Sequence, residues 1–538
     1  MATSEPLSGW SKLVRAWHFL RGVQPLLALV VALITTTGHT MNLRELGVAK
    51  GWVPAEVYAL QSSYLVALAL ALLACPHLAQ RFSCRGLAES GLILLLAGSF
   101  LNGLAIHEGL LVFIAGRALA GSGAGLAIYF APRLLDQRWA FMVPWTLILC
   151  PVAGPGAVAA ASMAHDVSDW EWGFLLEGAA AAASLVLLLS QEEETLLPPA
   201  APRGSPAYLF PLALALAAFL YCLHWGQLHG WLESFDIVSA FLVTAAASLA
   251  ALWLVWPQLD FLALRENWLR LLLFFFGGLC MFFHGYTMNV YGGLLVNYSS
   301  WQRAWLIWPL PIGMAVGLSL WELILRRMPR RLEMPAAILG LLLLAAGLYL
   351  CYQRTMEWPY WQPTNVFDLD WFPAPQHWEL APGRFLMGLG IGLFMMAMNV
   401  WSSPDPVREK KIESLLPVMQ FFGGGIAAAL LINFLLIGHL VHYSYSADRD
   451  YLQAQEITQR QTDLGDTLKN TGVLAAGRTT QALLYRGVRY EADNLVFATI
   501  YATFLAAALI LAGACVVFAI LWKRQTASVL VPDNLTAP

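Results

Sequence analysis

Long runs of apolar residues, separated by short polar segments, dominate the chain from end to end. A helix needs about 20 mostly apolar residues to cross the hydrocarbon core of a bilayer, and it satisfies its own backbone hydrogen bonds there. Fourteen segments have this character, and we predict that each forms a membrane-spanning helix. The predicted spans cover residues 23–42, 57–78, 88–106, 110–133, 139–163, 171–190, 207–226, 235–256, 268–291, 302–325, 335–353, 382–402, 413–440 and 493–522.

The composition excludes a water-soluble protein. Of the 538 residues, 59% are hydrophobic and only 12% are charged, whereas soluble domains carry about 25% charged residues. The balance of 31 basic and 34 acidic residues argues against nucleic acid as a bulk partner. The seven cysteines lie mostly inside apolar runs, without a C-x-x-C pair, which indicates packing rather than a disulfide framework or a metal site.

The basic residues of the short loops predict the orientation, because cytoplasmic loops are enriched in Lys and Arg. If residues 1–22 form a cytoplasmic lead-in, one side of the membrane collects most of these basic residues, from Arg81 and Arg85 onwards. Both termini are then cytoplasmic, with residues 523–538 as a tail. The charged, proline-rich segment 191–206 becomes a cytoplasmic linker, and segments 354–381 and 441–492 become outside loops.

A repeated motif divides the chain into two related parts. The pattern R-x-x-x-G-x-G-x-G occurs at residues 117–125 and again at residues 384–392. A basic turn followed by a glycine-containing apolar segment precedes each copy. The repeat predicts two six-helix halves, residues 23–190 and 268–522, with two extra helices at 207–256 between them. Internal repeats of this kind are typical of secondary transporters.

The repeat also predicts where helices approach each other closely. Glycines at i, i+2 and i+4 leave a helix surface without side chains, so a neighbouring backbone can come near. We therefore assign a packing or gating role to Gly121, Gly123, Gly388 and Gly390, and to Arg384, which opens the second copy. An arginine within a span must face a cavity or a partner, so Arg117 is either functional or an anchor that pins helix ends.

The order and spacing of these motifs resemble the major facilitator superfamily, and most closely its fourteen-helix drug:proton antiporter branch, the EmrB/QacA-like exporters. The resemblance covers about residues 23–522. The family motif G-x-L-a-D-R-x-G-R-R falls on residues 76–85, where Arg81 and Arg85 match but Gln80 replaces the acidic residue and Ser83 replaces a glycine. The fourth-span motif R-x-x-Q-G-x-G matches at Arg117, Gly121 and Gly123, and the fifth-span motif is reduced to Gly154 and Pro155.

This resemblance implies an all-α polytopic membrane protein with the major facilitator fold, acting as an exporter of amphipathic organic compounds by alternating access and proton antiport. It implies the bacterial inner membrane, and it permits a periplasmic membrane-fusion adaptor with an outer-membrane channel. A dedicated exporter of one metabolite, such as a siderophore, is an alternative. A second alternative is a membrane enzyme with Asp368, Asp370, His377 and Glu379 in an outer loop. We expect no cofactor, because the glycine-rich stretches lie within predicted membrane helices. A dinucleotide-binding motif would instead follow a strand.

Proton coupling needs a titratable group inside the membrane. The family's first span usually carries an aspartate, but residues 33–39 of this chain contain no acid. Glu177 is the first candidate, because it lies in an otherwise apolar span where burial disfavours a charged carboxylate; its alternative is a solvated residue near the outer interface. Arg117, His39 and His284 are the other candidates, although a lone histidine on an apolar face is more often a hydrogen-bonded packing residue.

Polar, aromatic and methionine residues within the spans predict a substrate cavity. A large cavity with few charges suits bulky amphipathic compounds, while ordinary interhelical hydrogen bonding is the alternative for each residue. The candidates are Gln61, Tyr64, Tyr129, Tyr286, Asn289, Met395, Asn399 and Gln420.

Overall fold

The computed structural model describes residues 23–36, 43–105, 108–135, 137–165, 170–189, 205–295, 298, 300–327, 332–356, 377–401, 406–452, 462, 466 and 476–529. These residues form helices and no β-strand. The helices, in chain order, are α1 Val23–Ile34, α2 Leu43–Lys50, α3 Pro54–Leu78, α4 Cys84–Leu104, α5 Leu110–Phe130, α6 Met142–His165, α7 Glu171–Leu189, α8 Leu209–Trp225, α9 Phe235–Val255, α10 Phe261–Leu294, α11 Ser300–Ile307, α12 Pro309–Leu323, α13 Glu333–Met356, α14 His377–Val400, α15 Pro406–Leu452 and α16 Ala476–Val529.

The helices agree with the predicted spans. Within the described residues, twelve helical segments are long and apolar enough to cross a membrane. Two shorter apolar helices, Val23–Ile34 and Met142–Gly154, fall where the first and fifth spans are predicted. The chain is therefore an all-α polytopic membrane protein, as its apolar pattern predicts.

Local chemistry explains where several helices begin. Pro54 opens α3, where its missing N–H costs nothing, and the Glu56 carboxylate accepts a hydrogen bond from the Val53 N–H at 2.8 Å. Ser83 caps α4, because its hydroxyl accepts a hydrogen bond from the Gly86 N–H at 3.1 Å. The serine that departs from the family motif thus has a structural role at this helix end.

The described helices belong to two compact units. Unit 1 comprises residues 1–283 and 402–429, and unit 2 comprises residues 284–401 and 430–538. Both α10 and α15 contribute their first part to unit 1 and their second part to unit 2. The predicted limits of the two six-helix halves, the linker and the extra helices stay predictions.

Unit 1 contains a closely packed helix triplet, in which α5 contacts both α3 and α4. Glycines occupy the contacts, and a β-carbon on any of them would collide with the facing helix. Gly91 and Gly98 of α4 meet Gly123 and Gly116 of α5, while Gly121 and Gly125 of α5 meet the backbone of α3 at Tyr64 and Leu68. Helix α8, which falls in the segment predicted to hold two extra helices, packs on α9 and on α3.

Unit 2 contains the same arrangement in α12, α13 and α14. The glycines lie at the matching positions of the repeat: Gly340 and Gly347 of α13 meet Gly390 and Gly383 of α14, while Gly388 and Gly392 of α14 meet α12 at Leu310 and Met314. The sequence repeat therefore corresponds to a repeated helix triplet, one in each unit, and Gly121, Gly123, Gly388 and Gly390 all lie at close helix contacts.

Candidate functional site

A buried ion pair joins two of the residues that the sequence nominates for proton coupling. The Nη1 atom of Arg117, on α5, lies 3.0 Å from the Oε2 atom of Glu177, on α7. The two side chains are 0% and 5% exposed. Glu177 is therefore a buried and paired carboxylate rather than a solvated residue at the outer interface.

Aromatic and hydroxyl groups surround this pair. The guanidinium carbon of Arg117 lies 4.2 Å from the ring centroid of Tyr64 and 5.5 Å from that of Phe174. The Tyr64 hydroxyl is in turn 3.1 Å from the Thr35 hydroxyl, and the Ser99 hydroxyl donates to Glu177 across 3.5 Å. Ring faces attract cations, and the attraction grows when water is excluded. The two rings thus stabilise the Arg117 guanidinium independently of the charge on Glu177.

Close helix contacts at glycines determine where the Arg117–Glu177 pair lies. Because Gly121 has no side chain, α5 reaches the α3 backbone at Tyr64, which brings the Tyr64 ring under Arg117. On the other side, Gly178 of α7 lies against the Phe100 ring of α4. The R-x-x-x-G spacing therefore positions the charged side chain as well as the helix.

Arg384 begins the second copy of the motif, in unit 2, and its surroundings differ. It is 0% exposed, and none of its guanidinium nitrogens makes a hydrogen bond of normal geometry to a described residue. The groups that interact with it electrostatically are the Tyr501 hydroxyl, the Cys351 thiol and the His284 imidazole. None of these three groups is a carboxylate.

His284, a predicted coupling candidate, lies in this Arg384 cluster. Its ring stacks on Tyr501 with centroids 6.0 Å apart and planes at 7°, and it meets Phe504 edge-on at 5.0 Å. The Tyr501 hydroxyl donates a weak hydrogen bond to the Met288 sulfur at 4.0 Å. The structure thus brings His284 and Arg384 together within unit 2.

A second buried ion pair was not predicted from the sequence. Arg270 of α10 lies 2.7 Å from Glu409 of α15, with side chains 0% and 11% exposed. The neighbouring Arg408 lies 3.5 Å from Glu266 and 4.0 Å from Asp260. The signal that could have revealed it is Arg270 itself, an arginine inside a predicted span, to which the reasoning used for Arg117 applies equally.

Comparisons with known proteins concern the fold. No family model and no curated protein matches this sequence. Among solved structures, the chain is similar to a POT family transporter in complex with a thioalcohol-conjugated peptide, at 12% identity and a TM-score of 0.56, over 93% of this chain and 96% of that one. A bacterial homologue of the human lysosomal transporter Spinster matches at 14% identity and a TM-score of 0.51, over 93% and 98%. The nucleoside transporter NupG matches at 11% identity and 0.51, over 91% and 99%.

The chain has the major facilitator fold. These identities are too low to carry a substrate or a mechanism from one protein to another. The solved structures named above that share this fold are transporters, and the fold agrees with a protein that crosses the membrane many times.

Within this major facilitator fold, the residues predicted to line a substrate cavity are mostly buried. The Gln61 amide donates to the Thr36 carbonyl at 2.6 Å, the Gln420 amide to the Leu147 carbonyl at 2.9 Å, and Asn289 accepts from Arg303 at 3.1 Å. These bonds join α3 to the turn after α1, α15 to α6, and α10 to α11, so a structural role is present in each case. The remaining members are Tyr64, already described, Tyr129 under the Arg133 guanidinium, Tyr286 and Met395, both buried, and half-buried Asn399. Their place in a substrate cavity stays a prediction.

The sequence reasoning missed one buried polar contact that involves an extra helix. His224 of α8 lies with its Nε2 atom 2.9 Å from the Ser62 hydroxyl, and that hydroxyl donates to the Gly425 carbonyl at 2.8 Å. Helices α8, α3 and α15 therefore meet through a chain of polar atoms within unit 1. A histidine near the end of an apolar segment was the available signal.

The motif residues occupy varied surroundings. Arg81 is exposed in the turn after α3, whereas Arg85 pairs with Glu89 at 2.7 Å and donates to the Leu189 carbonyl at 3.1 Å. Gly154 is buried in α6, and Pro155 continues the same helix. Their gating role stays a prediction.

Some predicted residues lie outside the described part of the chain, namely His39, Asp368 and Asp370. Of the predicted outer-loop cluster, His377 and Glu379 are described and lie in the first turn of α14. The His377 Nδ1 atom is 3.4 Å from the Tyr298 hydroxyl. The described residues contain no group of His, Cys, Asp or Glu side chains that could hold a metal ion.

Proposed function

We propose that this protein is a secondary active exporter of amphipathic organic compounds, which works by alternating access and is driven by proton antiport. This mode of action is that of the fourteen-helix drug:proton antiporter branch that the motifs resemble. The observation that carries the proposal is the buried ion pair between Arg117 and Glu177.

The pair gives Glu177 the properties of a proton carrier. A carboxylate in an apolar interior stays charged only when a partner compensates it, and here that partner is 3.0 Å away. A proton that reaches Glu177 removes the negative charge and with it the ion pair. The ring faces of Tyr64 and Phe174 remain beside Arg117 after this change. Loading and release of the proton therefore change the energy of the α5–α7 contact, which is the kind of two-state element that coupling requires.

The substrate class follows from what the spans contain. Apart from a few charged side chains, the buried candidates are aromatic, amide or methionine side chains, such as Tyr286 and Met395. Aromatic rings and flexible methionines accept large apolar bodies of differing shape. This supports amphipathic organic compounds rather than ions or sugars.

The bacterial inner membrane, with both termini cytoplasmic, is the location we propose. The asymmetric distribution of basic residues in the short loops supports this orientation. A periplasmic adaptor with an outer-membrane channel is part of the same proposal, through the family resemblance. Site-specific crosslinks in intact cells from residues 441–492 to an adaptor would support the assembly, and their absence would contradict it.

Reconstituted liposomes test the coupling. Purified protein would be given an amphipathic dye of each charge, ethidium and carboxyfluorescein, with and without an imposed pH gradient. We expect the gradient to accelerate dye movement by the wild type. Glu177→Gln should lose about tenfold or more of this acceleration, the size of a typical coupling free energy. Glu171→Gln, on the first turn of the same helix, is the matched control and should behave like the wild type.

Two results would contradict the proposal in different ways. Equal transport by the wild type with and without the gradient would overturn proton coupling. Gradient-driven transport that survives Glu177→Gln unchanged would leave the coupling in place but remove Glu177 from it.

A further inference from the structure

The two copies of the arginine motif differ in their charge balance. Arg117 is neutralised by Glu177 at 3.0 Å, but Arg384 is fully buried and has no such carboxylate partner among the described residues. None of the guanidinium nitrogens of Arg384 makes a hydrogen bond of normal geometry to a described residue. The motif thus places a buried arginine at the same position in both units. Of these two, only the arginine of unit 2 lacks a compensating charge among the described residues.

The groups that face Arg384 come from three helices around α14. Tyr501 lies on α16, Cys351 on α13 and His284 on α10, and all three interact with the guanidinium. A tyrosine hydroxyl and a cysteine thiol are neutral in their ordinary state, and a histidine is neutral or positive. No carboxylate is among the groups that act on Arg384 in the described part of the chain.

Such an arrangement is costly for the protein alone. An unpaired charge that is removed from water lowers stability, and ionisable groups within membrane spans are retained mainly where they function. Helix packing also holds this arginine in place, since Gly383 and Gly388 on either side press against α13 and α12. The backbone at Arg384 is thus held by close helix contacts, and the described residues supply no counter-charge.

The chemistry around the guanidinium fits one kind of ligand. Its planar fork matches a carboxylate, which it binds through two parallel hydrogen bonds. The Tyr501 hydroxyl, which donates a weak hydrogen bond to the Met288 sulfur and acts on the Arg384 guanidinium, can donate a third bond to the same carboxylate. The His284 ring contacts both the Tyr501 and the Phe504 rings, and the three rings offer a surface for an aromatic or apolar body.

We propose that Arg384 is the residue that binds the anionic group of the substrate, and that the transported compounds are amphipathic organic carboxylates. This inference rests on the proposed transport function, which it narrows from amphipathic compounds in general to anionic ones. The binding energy comes from neutralising a buried positive charge that no described carboxylate compensates.

Binding to the purified full-length protein in detergent tests this directly. Isothermal titration calorimetry would compare 1-naphthaleneacetate with 1-naphthaleneacetamide, which has nearly the same shape but no charge. We expect the wild type to prefer the carboxylate. Arg384→Gln should lose about 10- to 100-fold in affinity for the carboxylate, the range expected for charge-assisted hydrogen bonds, and should bind the amide as before. Arg384→Lys keeps the positive charge but lacks the planar guanidinium. Its affinity for the carboxylate should fall between those of the wild type and Arg384→Gln.

Two controls guard against misfolding. Arg354→Gln removes an exposed arginine from the last turn of α13 and should leave the affinity for both compounds unchanged. Because no described carboxylate compensates the buried charge, Arg384→Met should raise the thermal unfolding temperature. A purely structural arginine would give the opposite sign.

The outcomes separate this inference from the proposed function. If the wild type shows no preference for the carboxylate, or binds neither compound, or if Arg384→Gln retains that preference, the anion proposal is overturned, whatever the transport assay shows. If the carboxylate preference depends on Arg384 but transport is insensitive to the pH gradient, the anion proposal stands and proton coupling fails.

Discussion

Replacing one member of the Arg117–Glu177 pair should destabilise the protein far more than replacing both. At a separation of 3.0 Å and an effective dielectric constant of about 20, the Coulomb attraction is about 5.5 kcal/mol. Desolvation of the two groups offsets part of this attraction, and removal of one partner of a buried pair costs about 3–5 kcal/mol. Glutamine keeps an acceptor oxygen, so Glu177→Gln should lie at the lower end, at about 3 kcal/mol.

The other two variants complete a thermodynamic cycle. Arg117→Met leaves a buried carboxylate that can neutralise itself by binding a proton, so its cost should not exceed that of Glu177→Gln and should shrink at lower pH. The double variant contains no buried charge at this site. Its loss of stability should therefore be smaller than the sum of the two single losses by about 2–3 kcal/mol.

Equilibrium unfolding in mixed detergent micelles, followed by circular dichroism, measures all four proteins under the same conditions. The result that would refute the reasoning is additivity. If the double loss equals the sum of the single losses within about 0.5 kcal/mol, Arg117 and Glu177 do not interact in the folded protein. The pair would then be unable to carry the coupling proposed for it.

Two further predictions use the same unfolding measurement. Gly390→Ala places a β-carbon against the backbone of α13 and should lower the free energy of unfolding by about 1–3 kcal/mol. The β-carbon of Gly513→Ala points into open space, so this control should be neutral or slightly stabilising. Equal effects of the two variants would contradict the close helix approach at Gly390. Glu409→Gln removes the carboxylate that pairs with buried Arg270 and should cost about 3 kcal/mol of unfolding free energy. Glu266→Gln breaks a more exposed pair and should cost less than about 1 kcal/mol. Comparable losses would show that burial does not set the difference.

The apolar pattern predicted the helices because membrane helices are specified locally. Each segment must satisfy its own backbone hydrogen bonds in the bilayer, so its length and composition alone indicate a membrane span. The structure confirms the all-α class and the major facilitator fold. The fold does not test the fourteen-helix antiporter branch, since transporters of other compounds share it at 11–14% identity.

The glycine contacts were also predictable, because a glycine allows close approach whichever helix packs against it. The sequence did not predict which charged residues form ion pairs. Arg117 and Glu177 each stood out as an intramembrane charge, but they lie on helices 60 positions apart in sequence, and the repeat gave no reason to join them. Arg270 and Glu409 are 139 positions apart, and neither was selected as a site residue.

Sequence alone thus determined the membrane class, the repeated arginine–glycine motif and the short list of charges inside the spans. Those properties depend on each segment's own chemistry, namely the cost of exposing polar groups to lipid and the room left by glycine. Only the tertiary structure decided that one copy of the repeated arginine meets a carboxylate, while the other meets a hydroxyl, a thiol and an imidazole. A charge is neutralised by whatever side chain the neighbouring helix places within a few ångströms, and helix packing rather than sequence spacing selects that neighbour.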